Sequence, residues 1–164
     1  MKELFSELLN ALQRGENVVL CSILASSGSA PRGAGAKMAV FEDGHTLGTI
    51  GGGAVERIAA EQGLALFQAG ASYCQAFCLA PNQVNDIGMI CGGNVMVYFQ
   101  FFSCKNEQDL LLVQTILELL AGDRDAWLVS RMEAGKITAL GTYDEMHGLR
   151  FADLDEAMLR PWLT

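Results

Sequence analysis

An α/β (α+β) fold, one domain with a mixed β-sheet flanked by helices, is the class this sequence predicts. Three observations carry the expectation. Short apolar runs bounded by glycine or polar clusters are interspersed with apolar repeats at helical spacing, in the order α-β-β-β-α-β-β-α-β-β with a short closing helix. The 164 residues are enough to bury a core without a disulfide or metal scaffold, so one domain over residues 1–164 is expected. A hydrophobic share of 51% against 18% charged residues excludes an intrinsically disordered chain.

Residues 1–14 read as a helix, with Leu4, Phe5, Leu8, Ala11 and Leu12 on one side and Gly15 as the stop. The apolar run 18–25 lacks helical caps and reads as a buried strand. Residues 37–41 and 46–50 flank Asp43-Gly44, a strong hairpin signal. After Gly51-Gly52-Gly53, residues 54–69 carry Val55, Ile58, Ala59 and Leu66 at helical spacing and end at Gly70. Residues 72–79 and 94–102 read as strands, and 107–121 as a leucine-rich helix stopped by Gly122. Residues 126–132 and 137–143 form a second expected hairpin around Ala134-Gly135. Residues 153–160 are expected to form a last helix with Asp153 and Glu156 in capping-box spacing.

Eleven basic against nineteen acidic residues give a net charge of −8, which excludes a general nucleic-acid surface. The five cysteines are an odd set and the N-terminus is amphipathic, which together predict a cytoplasmic location. Polar residues and glycines interrupt every apolar run, so no membrane span is expected. Glycine is the unusual count, at 18 residues, and it clusters in 28–53 and in 88–93.

The first cluster contains Gly33-Ala34-Gly35, but a hairpin rather than a helix follows it, so a dinucleotide-binding reading fails. Thr49-Ile50-Gly51-Gly52-Gly53-Ala54-Val55-Glu56 runs from strand to helix. Its backbone N–H groups and helix dipole suit an anion such as phosphate; the alternative is a tight turn with Glu56 favourable in the first helical turn. Arg32 and Lys37 are the only formal charges between Asn17 and Phe41, and either serve the same anion or are solvated. In the second cluster, Cys91 beside Gly92 and Gly93 is a candidate nucleophile or soft-metal ligand, against an inert packing role. Asp86 is expected to cap that loop. Cys74 and Cys78 share a face of one strand, and without a C-x-x-C pair the cysteines read as packing residues.

Two motifs taken together resemble a known family. Gly28-Ser29-Ala30-Pro31-Arg32, Gly35-Ala36-Lys37-Met38 and Gly48-Thr49-Ile50-Gly51-Gly52-Gly53-Ala54-Val55-Glu56 are similar to the first signature of the xanthine dehydrogenase accessory factors, the XdhC/CoxI family. Asp86-Ile87-Gly88-Met89-Ile90-Cys91-Gly92-Gly93 resembles the second, and the resemblance covers about residues 18–102. It implies a carrier, rather than an enzyme, that binds molybdenum cofactor transiently and inserts it into a molybdenum hydroxylase of the xanthine or carbon monoxide dehydrogenase type. The implied partners are that apo-hydroxylase and a cysteine desulfurase. The implied cofactor-site residues are Arg32, Lys37, Gly51, Gly52, Gly53, Glu56, Cys91, Gly92 and Gly93, with Cys91 a candidate molybdenum contact. Many members have cysteine where Gly53 stands, so Cys91 is the remaining thiol. Longer relatives add a C-terminal Rossmann domain that this chain is expected to lack, which leaves a separate Rossmann-domain partner open. The resemblance and the apolar strand 94–102 together predict a homodimer. Two competing readings are a docking module without its own ligand site and a Cys91-dependent sulfur-transfer enzyme.

Overall fold

Apolar residues at both odd and even positions of a strand require cover on both faces of its sheet. The run Val18-Val19-Leu20-Cys21 meets that requirement in the computed structural model, which describes residues 1–28, 32–78, 93–122, 124–134 and 136–162. The elements are α1 (Lys2–Gln13), β1 (Val18–Gly28), β2 (Lys37–Phe41), β3 (Thr46–Thr49), α2 (Gly53–Ala69), β4 (Tyr73–Cys78), β5 (Gly93–Phe102), α3 (Glu107–Ala121), β6 (Ala126–Glu133), β7 (Lys136–Asp144) and β8 (Gly148–Arg150). One sheet has the order β3-β2-β1-β5-β4 and the other β6-β7-β8.

The odd residues of β1, Val19, Cys21 and Ile23, pack with Met38, Val97 and Phe99 beneath α2, which contributes Val55, Ala59 and Leu66. Its even residues, Val18 and Leu20, join Phe41 and Phe102 on the other face. There they meet Phe5, Leu8 and Leu12 of α1 and Leu112, Val113 and Ile116 of α3. Leu140 of β7 packs at the margin of this second cluster, which brings the smaller sheet to the same side.

The α+β class and the predicted elements other than the closing helix stand, and α3 has the expected bounds. The sheet organisation is corrected. All strand pairs among the described residues are antiparallel and they form two sheets, not one mixed sheet. Hairpins join β2 to β3 and β6 to β7, β1 and β5 pair across the intervening elements, and α3 carries the chain off the first sheet before the next hairpin begins.

The closing helix is also corrected. Residues 156–158 and 160–162 form two short 3₁₀ turns, the first capped by Asp155, whose side chain accepts from the Ala157 N–H. Glu156 is drawn away from a capping box because its Oε1 accepts from the Leu149 N–H at 2.8 Å. That bond anchors β8, a strand the sequence reading missed. The apolar β5 lies between β1 and β4, so both of its edges are already paired. Its hydrophobicity serves the interior and offers no free edge to a second copy. No described helix is long and apolar enough to cross a membrane.

Candidate functional site

Antiparallel order places the end of β1, the start of β2, the end of β3 and the start of β5 at one end of the larger sheet. Gly28 and Gly93 are register partners there. The two glycine clusters, far apart in sequence, thus reach the same edge of the fold. Cys91 and Gly92 lie outside the described residues, as does Asp86, and Gly93 is the described start of β5.

The turn from β3 into α2 explains its three glycines. Gly51, Gly52 and Gly53 have φ values of 133°, 83° and 62°, a run that residues with a Cβ rarely adopt. The amides freed by this turn do not all face outward. Glu56 Oε1 accepts from the Thr49 hydroxyl at 2.5 Å, from the Ile50 N–H at 3.0 Å and from the Gly51 N–H at 3.2 Å. Burial alone would raise the Glu56 carboxyl. Hydrogen bonds from Thr49, Gly52, Ile50 and Gly51 outweigh it and hold the group below the ordinary glutamate value. The expected open cradle is therefore closed on one side by the protein's own carboxylate. Space remains around Gly52, where a Cβ would meet no atom within 4 Å.

The two isolated bases share a cavity. Arg32 and Lys37 line one cavity of about 350 Å³ together with Glu3, Gly48 and Thr49. Neither forms an ion pair among the described residues. Lys37 is partly buried, its Nζ donates to Ser22 Oγ at 3.0 Å, and burial pushes its pKa down. The cavity thus has two cationic side chains beside a glycine turn, and Glu3 as an acid at its rim.

The cysteines divide by burial. Cys21 is buried and its thiol is pushed up to about 12, which makes it inert. Cys74 and Cys104 are partly exposed, and Cys74 is also raised by burial. Among the described residues no group of three His, Cys, Asp or Glu side chains is placed to hold a metal. His45 stacks on Phe41 with ring centroids 4.1 Å apart and faces Asp43, while His147 Nδ1 lies 2.9 Å from Asp144. Both histidines thus tie down turns.

Sequence reasoning missed Ser22, Tyr98 and Gln100, which face the same side of the sheet as Lys37. Their signal was faint: single polar side chains inside otherwise apolar strands.

Residues 11–77 match the model of the XdhC and CoxI family. That stretch is similar to the XdhC and CoxI family over less than half of the chain. It contains Arg32, Lys37, the glycine turn and Glu56, and it ends within β4, before the second glycine cluster. An uncharacterized protein of Escherichia coli K12, YqeB, is 34% identical to this chain over 95 residues, 58% of the chain and 17% of YqeB. The fold is similar to the crystal structure of a xanthine dehydrogenase from Bacillus halodurans, with a TM-score of 0.75 and 17% identity. The likeness covers 92% of this chain and 45% of that one. The chain therefore spans less than half the length of either protein, and the likeness at 17% identity establishes the fold alone.

Proposed function

We propose that this protein is an accessory factor for a molybdenum hydroxylase of the xanthine or carbon monoxide dehydrogenase type, and that it carries molybdenum cofactor to that enzyme. The observation that supports this reading best is that Arg32 and Lys37 share one cavity beside the family's glycine turn. The cofactor is an anionic pterin phosphate with a dithiolene-held metal, and two cations without carboxylate partners suit it. Arg32 supplies a planar fork for phosphate, and the open side of Gly52 admits a close backbone approach. Cys91, Gly92 and Gly93 complete the proposed set by their place in the second motif. The partners are the apo-hydroxylase and a cysteine desulfurase, and the working form is a homodimer, which light scattering would report as twice the chain mass.

Titration of the protein with molybdenum cofactor tests the carrier reading. Saturable binding that is weakened by Arg32→Ala and by Cys91→Ala is expected. Absence of saturable binding, or binding unchanged in both variants, overturns it.

One observation favours a second reading, a docking module without its own ligand site: Glu56 already occupies the Ile50 and Gly51 amides. Capture of the hydroxylase that survives disruption of Gly51–Gly53, in a protein that binds no cofactor, would select this reading over the carrier.

A further inference from the structure

One residue from each strand of the larger sheet forms a row of register partners: Thr49, Lys37, Ser22, Tyr98 and Cys74. Two residues along each strand, the next row is Leu47, Ala39, Leu20 and Gln100. Both rows lie on the face that α1 and α3 cover, where Val18, Phe41 and Phe102 give the expected apolar surface. A covered sheet face calls for apolar side chains, and a polar row on one requires partners.

What faces this row is the smaller sheet, across a cleft. Ser22, Lys37, Tyr98 and Gln100 line a cavity of about 320 Å³, with Ser130 of β6 opposite. Phe5 of α1 and Ile116 of α3 supply apolar wall. A second cavity of about 380 Å³ shares Phe5, Lys37, Ile116 and Leu128 with the first and continues to Thr142 of β7.

Three polar groups along these walls are incompletely satisfied. The Lys37 ammonium has one hydroxyl partner and no carboxylate among the described residues. Gln100 Oε1 is buried and receives no hydrogen bond from them. Thr142 Oγ1 is in the same position, on a residue 1% exposed. Buried orphans of this kind are uncommon in native folds, and an ammonium, a lone acceptor and apolar walls around one cleft describe a ligand's outline.

We propose that the cleft between the two sheets binds a small aromatic carboxylic acid that carries a hydroxyl donor. The carboxylate pairs with Lys37 Nζ, the ring takes the apolar walls beside Phe5 and Tyr98, and the hydroxyl donates to Gln100 Oε1. A cavity of this volume is at the lower end of the range for small-molecule sites, about 300–1,000 Å³. The cleft is a different cavity from the one proposed for the cofactor, although Lys37 lines both, and Arg32→Ala separates the two readings. Arg32 lines the cavity at the sheet end and not this cleft.

The test is a titration of the full chain with 4-hydroxybenzoate and with benzoate, followed by amide NMR. Saturable shifts centred on Ser22, Lys37, Tyr98 and Gln100 are expected, with 4-hydroxybenzoate the tighter ligand. Lys37→Met should weaken both acids at least tenfold while keeping a dispersed spectrum, and Lys37→Gln repeats the measurement if the methionine variant does not fold. Gln100→Leu should abolish the preference for the hydroxylated acid, and Arg32→Ala should change neither affinity. No saturation in the millimolar range, shifts scattered over the surface, or wild-type affinity in a folded Lys37 variant would overturn the proposal.

Discussion

Glu56 stands in the first turn of α2 and turns its carboxylate back onto the chain that precedes it. Its folded-state pKa is depressed, so the stability it contributes is present above the unfolded value and is lost as pH falls through the folded one. Glu56→Gln should cost about 1 kcal/mol at neutral pH, the usual scale for a lost capping contact. The difference from wild type should shrink once pH falls below about 4. Urea denaturation across that range checks it, and a constant difference would show that charge is not what matters at this position. Gly48 is constrained more severely. Its φ is +86°, and a Cβ there would sit 2.5 Å from the Lys37 carbonyl oxygen and 2.6 Å from Leu4 Cδ1. Gly48→Ala should lower stability by about 2–4 kcal/mol, from left-handed strain and overpacking together. A thermal midpoint equal to wild type would mean that β3 shifts freely. Gly48 could be suspected from the sequence because it adjoins Thr49 and the glycine run. Its reason could not, because the obstructing carbonyl belongs to a neighbouring strand.

Helix boundaries follow local chemistry, which is why the bounds of α3 were legible. Asn106 accepts from the Gln108 N–H at 3.1 Å, and Asp109 reaches back to accept from the Ser103 N–H at 2.8 Å. The first is the N-cap bond, the second ties the preceding turn to the helix, and both lie within seven residues. Asn106→Ala should cost about 1 kcal/mol, measurable as a shift in the urea midpoint with unchanged slope. The last segment shows the opposite case. Asp153 and Glu156 have capping-box spacing, yet Glu156 bonds to Leu149 and the chain forms 3₁₀ turns. A hydrogen bond to the backbone of β8, seven residues back, outcompeted the capping contact, and that spacing matches no helix-capping pattern. The strand 94–102 was legible as a strand, while its interior place in the sheet was not. Pairing order is set by which edges meet during packing, and apolar content is equally compatible with a buried strand and an interface.

At the scale of the whole molecule, Lys37 places a charge where the two sheets approach, and burial lowers its pKa. Replacing it with methionine removes a desolvated cation and adds apolar surface to the same space. Lys37→Met should therefore have a thermal midpoint equal to or above wild type, by calorimetry, while ligand binding falls. A large drop in midpoint would make Lys37 a structural residue. The sequence by itself determined the class, the elements apart from β8 and the closing segment, the two expected hairpins and the resemblance to a family, because these depend on periodicity, turn chemistry and motif order within short spans. The closure of the glycine turn by Glu56, the cavity shared by Arg32 and Lys37 and the polar row beneath the smaller sheet were decided by tertiary structure. The first two join residues close in sequence but depend on turn and side-chain conformation that no spacing prescribes. The polar row depends on the register between strands distant in the chain, which follows from burial of whole faces.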